Sequence, residues 1–214
     1  YPLSKRKTKE LMADFFQADI SLGSIPALEQ RTSELLAEPV TQAHEYVKKQ
    51  AVVHMDETGW KQEAQRAWLW VAATQWVSVF LIRLQRGGQV AREILGDSYQ
   101  GIVHSDRWSA YNWLKTALRQ LCWAHLLRDF QAFVERGGES QQLGEAILTQ
   151  AELMFQWWYK VRDGTMTRAD LQEQMQSVQH QVGECLRQGA TCDHEKTAGT
   201  CRDILKREEA LWTI

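Results

Sequence analysis

Cysteine is scarce in this 214-residue chain, with four residues at positions 122, 185, 192 and 201. They are too few and too unevenly spread to frame a disulfide scaffold, so a reducing compartment fits better. No apolar run approaches the ~20 residues needed to cross a bilayer, which excludes an integral membrane protein with spanning helices. The opening YPLSKRKTKE has no hydrophobic signal core behind it, which argues against secretion. An initiating Met is also missing, so the chain is expected to begin partway through a longer reading frame. There is little surplus charge: 25 basic against 27 acidic side chains give −2. That balance excludes indiscriminate nucleic-acid binding but leaves room for a local basic groove. Internal repeats and low-complexity tracts are absent.

Against these absences stand 44% hydrophobic and 24% charged residues, the mix of a globular chain. The length suits one compact domain with an appendage, or two small ones. Ten tryptophans are the conspicuous surplus. The charge is also uneven: residues 61–138 carry 10 basic and 6 acidic groups, between acidic flanks. A polyanion would meet the body of the protein there. Lys5, Arg6, Lys7 and Lys9 form a second basic cluster at the start.

Hydrophobic periodicity divides the chain into three zones. Residues 1–49 predict two helices, with Leu11, Met12, Phe15 and Phe16 on one and Ile25, Leu28, Leu35 and Leu36 on the other. Gly23 breaks the pattern between them, Ser24 can cap and Pro26 suits a first turn. Pro39 is expected to restart the chain into a linking helix over about 40–49. A helix-turn-helix reader of DNA and a plain packing hairpin both fit this segment.

Residues 50–124 predict the order β-β-β-α-β-α-β, an α/β domain with a mixed sheet. AVVHMDETGW reads as a short strand ending in a turn. AWLWVAAT and WVSVFLIRL read as a hairpin, with Trp68 and Trp70 on one face and Trp76 opening the partner strand. YQGIVHSD is the fourth strand, followed by a helix over about Ser109–Ala117, and LRQLCWAH runs from a last strand into a helix. Residues 125–214 predict only helices. One carries Leu143, Ile147, Ala151, Met154 and Trp158, and the next starts at Thr167 with Asp170. A polar loop is expected around Gly189–Gly199, then a final helix to about Trp212.

Two carboxylates stand out by position: Asp56 at the end of the first strand and Asp106 at the end of the fourth. Functional groups collect at strand ends in open α/β sheets. If those strands are neighbours, the pair could share a divalent cation, since Mg²⁺ commonly takes one or two carboxylates plus water and phosphate. Two surface Asp residues capping turns is the plain alternative.

The ordered motifs HMDETGW, SDRWSAY and QLCWAHLLRDF resemble the insertion-sequence-66 transposase family, and the segment YPLSKRKTKELMADFFQADISLGSI resembles the stretch before its catalytic core. The likeness covers nearly the whole chain. It implies a ribonuclease-H-like mixed-sheet core (50–124) between an N-terminal helical segment and linker (1–49) and a C-terminal all-α insertion (125–214). It further implies an Asp-Asp-Glu site using Mg²⁺ or Mn²⁺, with Asp56 as first and Asp106 as second metal-binding acid. The implied chemistry is phosphodiester hydrolysis and strand transfer at the ends of an insertion element. Element-end and target DNA would be the partners. A homo-oligomer in the transposition complex and a cytoplasmic, nucleoid-associated location go with it, with no membrane.

The third acid breaks the pattern. In the family it is a Glu within Asn-Asn-x-x-Glu-Arg, yet the sole asparagine here is Asn112. Glu208 and Glu209 lack that context, and a solvated helix face accounts for them. The expectation is therefore a chain incomplete at both ends and inactive by itself. A non-catalytic DNA-binding or interaction remnant, and another ribonuclease-H-like nuclease, are the alternatives.

Weaker candidates complete the reading. His54 and His104 each precede an Asp by two residues and share its strand face, as packing groups or soft-metal ligands. His125 and Arg128 share a helix face, and they and Arg107 are candidates for DNA phosphate. Lys5, Arg6 and Lys7 are candidates at the N-terminal helices. Cys185, Cys192, His194 and Cys201 match no compact zinc spacing. Trp60, Trp108 and Trp123 closely follow the motif residues, where they could wall the site or stack on a splayed base.

Overall fold

The computed structural model describes residues 3–62 and 64–213. Ser4 starts α1 (Lys5–Phe16) by accepting a hydrogen bond on its side chain from the Lys7 N–H. Gln17, at φ 52°, ends it in the left-handed region. α2 (Ser24–Lys48) begins at Gly23 rather than at a Ser24 cap, while Ser21 Oγ accepts from the Ser24 N–H at 3.0 Å. Pro26 sits in the first turn, where its missing N–H costs nothing. Pro39 does not restart a helix as expected: it lies inside one continuous 25-residue helix. One lost hydrogen bond is tolerated within a helix that long.

β1 (Val52–Gln62) and β2 (Gln65–Ala73) form an antiparallel hairpin, and β3 (Ser78–Arg83) pairs with β2. α3 (Gly88–Leu95) leads to β4 (Ile102–Ser105) and β5 (Arg119–Leu121). The sheet order is β3-β2-β1-β4-β5, with β4 and β5 parallel to β1. This mixed α/β arrangement is consistent with a ribonuclease-H-like core. Two sequence expectations need correction. Trp76 does not open β3 but stands in the turn before it, 76% exposed. The helix expected at Ser109–Ala117 is two short 3₁₀ turns, Ser109–Tyr111 and Thr116–Leu118.

Alternation along β1 puts Val53, Met55 and Glu57 on the buried face and His54 and Asp56 on the accessible one. The buried face packs against Val90, Ala91, Ile94 and Leu95 of α3, with Val47 of α2 and the rings of Tyr99 and Tyr111. The opposite face keeps Val52 and Phe80 accessible.

Four helices build a second core: α4 (Trp123–Glu135), α5 (Gly138–Arg162), α6 (Arg168–Gly189) and α7 (Glu195–Leu205). Thr167 and Asp170 close a reciprocal capping box at the start of α6, as their spacing predicts. The polar loop is shorter than expected, because α7 already begins at Glu195. Phe130, Phe133, Ile147, Val178, Val182, Leu186 and Ile204 fill the core. α4 and α5 touch at Gly144, where an added Cβ would lie 2.8 Å from the Phe130 carbonyl oxygen. A 3₁₀ turn at Glu208–Leu211 returns to the sheet. There the Leu211 carbonyl accepts from Gln120 Nε2 at 2.9 Å and from Trp123 Nε1 at 3.1 Å.

Candidate active site

β1 and β4 are neighbours, and their pairing ends at His54↔His104. Asp56 and Asp106 each lie two residues further on, so continuing the register sets them opposite one another. Adjacent strands run ~4.8 Å apart, close enough for two carboxylates to share a cation. Asp56 is not at the end of its strand, as the sequence suggested. β1 runs on because β2 pairs with it as far as Gln62, with Asp56 opposite Val71. The strand that ends beside Asp56 is β4.

Local hydrogen bonds pin one oxygen of each acid. Asp56 Oδ1 accepts from the Glu57 N–H at 2.9 Å, and Asp106 Oδ1 accepts from the Trp108 N–H at 2.8 Å. That leaves Oδ2 of each carboxylate without a donor among the described residues. Hard oxygens of this kind suit Mg²⁺ or Mn²⁺. Among the described residues no group of three or more His, Cys, Asp or Glu side chains is placed to hold a metal ion together.

The imidazoles of His54 and His104 lie 4.3 Å apart, centroid to centroid. Burial lowers the His54 pKa, and burial with the neighbouring His54 charge pushes His104 down to about 4. Both shifts favour the neutral ring on the strands next to the acids.

Sequence reasoning passed over the group behind the acids. Glu57 is buried, with Oε1 accepting from Arg86 Nε at 2.9 Å and Oε2 from the Tyr111 hydroxyl at 2.8 Å. Burial raises the Glu57 pKa, and Asp106 adds to that, against the bonds from Tyr111 and Arg86. The Tyr111 phenol is held far above its ordinary value by burial and by Glu57, Asp106 and Asp56, so it stays a donor. The Arg86 guanidinium lies between two indoles, 4.5 Å from Trp68 and 4.2 Å from Trp108. Arg119 is also buried, donates to the Asp106 carbonyl at 3.1 Å, and is lowered to about 10 by burial and Arg207. One signal was legible: Glu57 occupies a core position in the β1 alternation, and a buried carboxylate requires partners.

The other candidates are scattered. Arg107 turns into the helical layer, donating to Asp203 at 2.6 Å and Asp129 at 2.7 Å, so its charge is already matched. A half-buried guanidinium satisfied twice is poorly placed for phosphate. His125 is half-buried near the start of α4 and Arg128 is exposed one turn on. Arg6 and Lys7 are exposed on α1, while Lys5 pairs with Glu29 of α2. Cys192 and Cys201 are buried in the helical layer.

Asp56 and Asp106 each follow the last β1–β4 paired residues by two positions, and a buried Glu57–Arg86–Tyr111 network lies on the other side of β1. A model of the family described as "Transposase IS66 family" matches residues 2–214. Comparison with curated proteins and with solved structures finds no match. With essentially its whole length matched, the chain belongs to the IS66 family of transposases.

Proposed function

We propose that this chain supplies two of the three acids that cleave and rejoin DNA at the ends of an insertion element. The observation that supports the reading is the β1–β4 pairing, whose last pair, His54↔His104, precedes each acid by two residues. Asp56 and Asp106 would hold Mg²⁺ or Mn²⁺ through their oxygens, with water and phosphate completing the shell. Such ions activate the attacking hydroxyl and stabilise the departing oxygen in phosphodiester transfer.

The remaining roles fall to the chain's own side chains. The Glu57 N–H and Trp108 N–H orient the two carboxylates. Tyr111 and Arg86 hold Glu57 on the opposite side of β1. The exposed Arg128 at the start of α4 would meet DNA phosphate, and Arg6 and Lys7 on α1 would meet the duplex further out. No third acid stands with the pair among the described residues. Weak metal binding without turnover is therefore expected from this chain alone. A DNA-handling complex of several copies in the cytoplasm, at the nucleoid, follows from the same reading.

The test is Mn²⁺ titration of the intact chain, followed by nicking of supercoiled plasmid. Asp56→Asn and Asp106→Asn should each abolish Mn²⁺ binding while the chain stays folded. Metal-dependent nicking that survives both substitutions together would overturn the assignment.

A further inference from the structure

Trp108 is held more firmly than an exposed indole needs to be. Its backbone N–H donates to Asp106 Oδ1, and its Nε1 donates to the Arg86 carbonyl at 3.1 Å. One face of its ring rests on the Arg86 guanidinium, 4.2 Å away. That guanidinium is fixed in turn by buried Glu57 and by Trp68 on its other side. Arg66 stacks on Trp68 at 4.8 Å, extending a cation–aromatic ladder along the rim of the sheet. Despite this support, 38% of the Trp108 surface is exposed.

A rigid, half-open indole costs little ordering when a second π-system settles on it. Its position is set by the carboxylate it bonds, so anything stacked there lies beside Asp106. The cation on Trp108 is Arg86, and Arg66 stands one indole further along, on Trp68. An aromatic face beside basic side chains fits a nucleotide, whose base stacks while its phosphate meets the cations. A base inside a duplex has both faces covered by its neighbours, so the face fits an unpaired base.

We propose that Trp108 is a stacking platform for an unpaired DNA base next to the phosphodiester presented to Asp56 and Asp106. This rests on the function proposed above and names the form of DNA the site takes: an end opened by at least one base, rather than intact duplex.

The test uses the whole chain in metal-free buffer, with a short single-stranded oligonucleotide carrying 2-aminopurine and the matching blunt duplex as probes. Binding of the single strand should quench the 2-aminopurine emission, and the duplex should show little quenching. Trp108→Leu should remove the quenching and weaken single-strand binding about tenfold, the size of one lost base–aromatic stack. Trp108→Phe should retain most of both, which separates loss of stacking from loss of folding. Trp158→Leu, at an exposed tryptophan on α5, should leave the quenching in place. Unchanged quenching in Trp108→Leu, equal quenching by the duplex, or none with the wild type would each overturn the proposal. Stacking that persists while Mn²⁺ binding survives both Asp substitutions would remove the metal assignment and leave the platform standing.

Discussion

Arg107 Nη1 donates to Asp203 Oδ2 at 2.6 Å, linking the residue after Asp106 to a helix nearly a hundred positions later. The same guanidinium reaches Asp129 on α4, and Asp203 also accepts from Arg207 at 2.5 Å. One end of the sheet is thereby clamped to the helical layer by charge.

The clamp gives an acid-sensitive contribution to stability. Burial pushes the Asp203 carboxyl up, but the bonds and charges of Arg207 and Arg107 outweigh it, leaving it below its ordinary 3.8. A carboxyl lowered on folding stabilises above the unfolded value, and that contribution fades as pH falls through the folded one. Asp203→Asn should cost about 1–3 kcal/mol at pH 7 in urea unfolding. The gap to wild type should close below pH 3.8; a gap that widens in acid would count against the clamp.

Glu57 behaves in the opposite sense. Its carboxyl is raised on folding, so between its ordinary 4.5 and the higher folded value the unfolded chain releases the proton first. Wild-type stability should therefore fall as pH rises through that window, relative to Glu57→Gln. The variant keeps an acceptor for Tyr111 and loses the charge facing Arg86. Its deficit, about 1–3 kcal/mol from the weakened buried bonds, should be larger at pH 4 than at pH 7 by thermal unfolding.

Gly144 marks the closest approach of α4 and α5. Alanine there would press on the Phe130 carbonyl at 2.8 Å and the Phe133 Cβ at 2.9 Å, both of which are backbone or backbone-anchored. Despite the better helix propensity of alanine, Gly144→Ala should lower stability by about 1–3 kcal/mol. A higher melting temperature would show that the two helices have room to part.

Pro39 supplies the converse case. It lies inside α2 on an exposed stretch and leaves the Leu35 carbonyl without its helical donor. Pro39→Ala should stabilise the helix by up to about 3 kcal/mol. The readout is slower amide hydrogen exchange over residues 35–45; unchanged exchange would mean the proline imposes no local penalty.

These cases also show what the amino-acid order made legible. Asp56 and Asp106 stood out in the sequence because each ends an apolar run in which alternate residues face the core, and those runs are neighbouring strands in the sheet. Pro39 misled because local chemistry predicts a break, whereas 24 neighbouring residues of helix outvote one missing hydrogen bond. The stretch 109–117 misled for a related reason. Its apolar spacing suits a helix, but Ala110 and Tyr111 pack on the sheet core from the first of two short turns and Leu114 from the link between them. Arg86 was invisible because it sits in a loop, and only the folded chain brings Glu57, Trp68 and Trp108 around it. Arg107 looked like a free cation until Asp129 and Asp203 arrived from distant helices.

The double acceptor at the Leu211 carbonyl has a consequence for colloidal behaviour. β5 is the last strand of its sheet, and an uncovered outer strand is a template for pairing with another molecule. The turn that carries Leu211 lies against β5, and Thr213 Oγ1 donates to the Arg119 carbonyl at 2.5 Å. The sheet therefore ends in a guarded margin, built from a part of the chain some ninety positions away in sequence. A molecule whose helical layer has not yet closed would show that margin bare, and would be prone to self-association until it does.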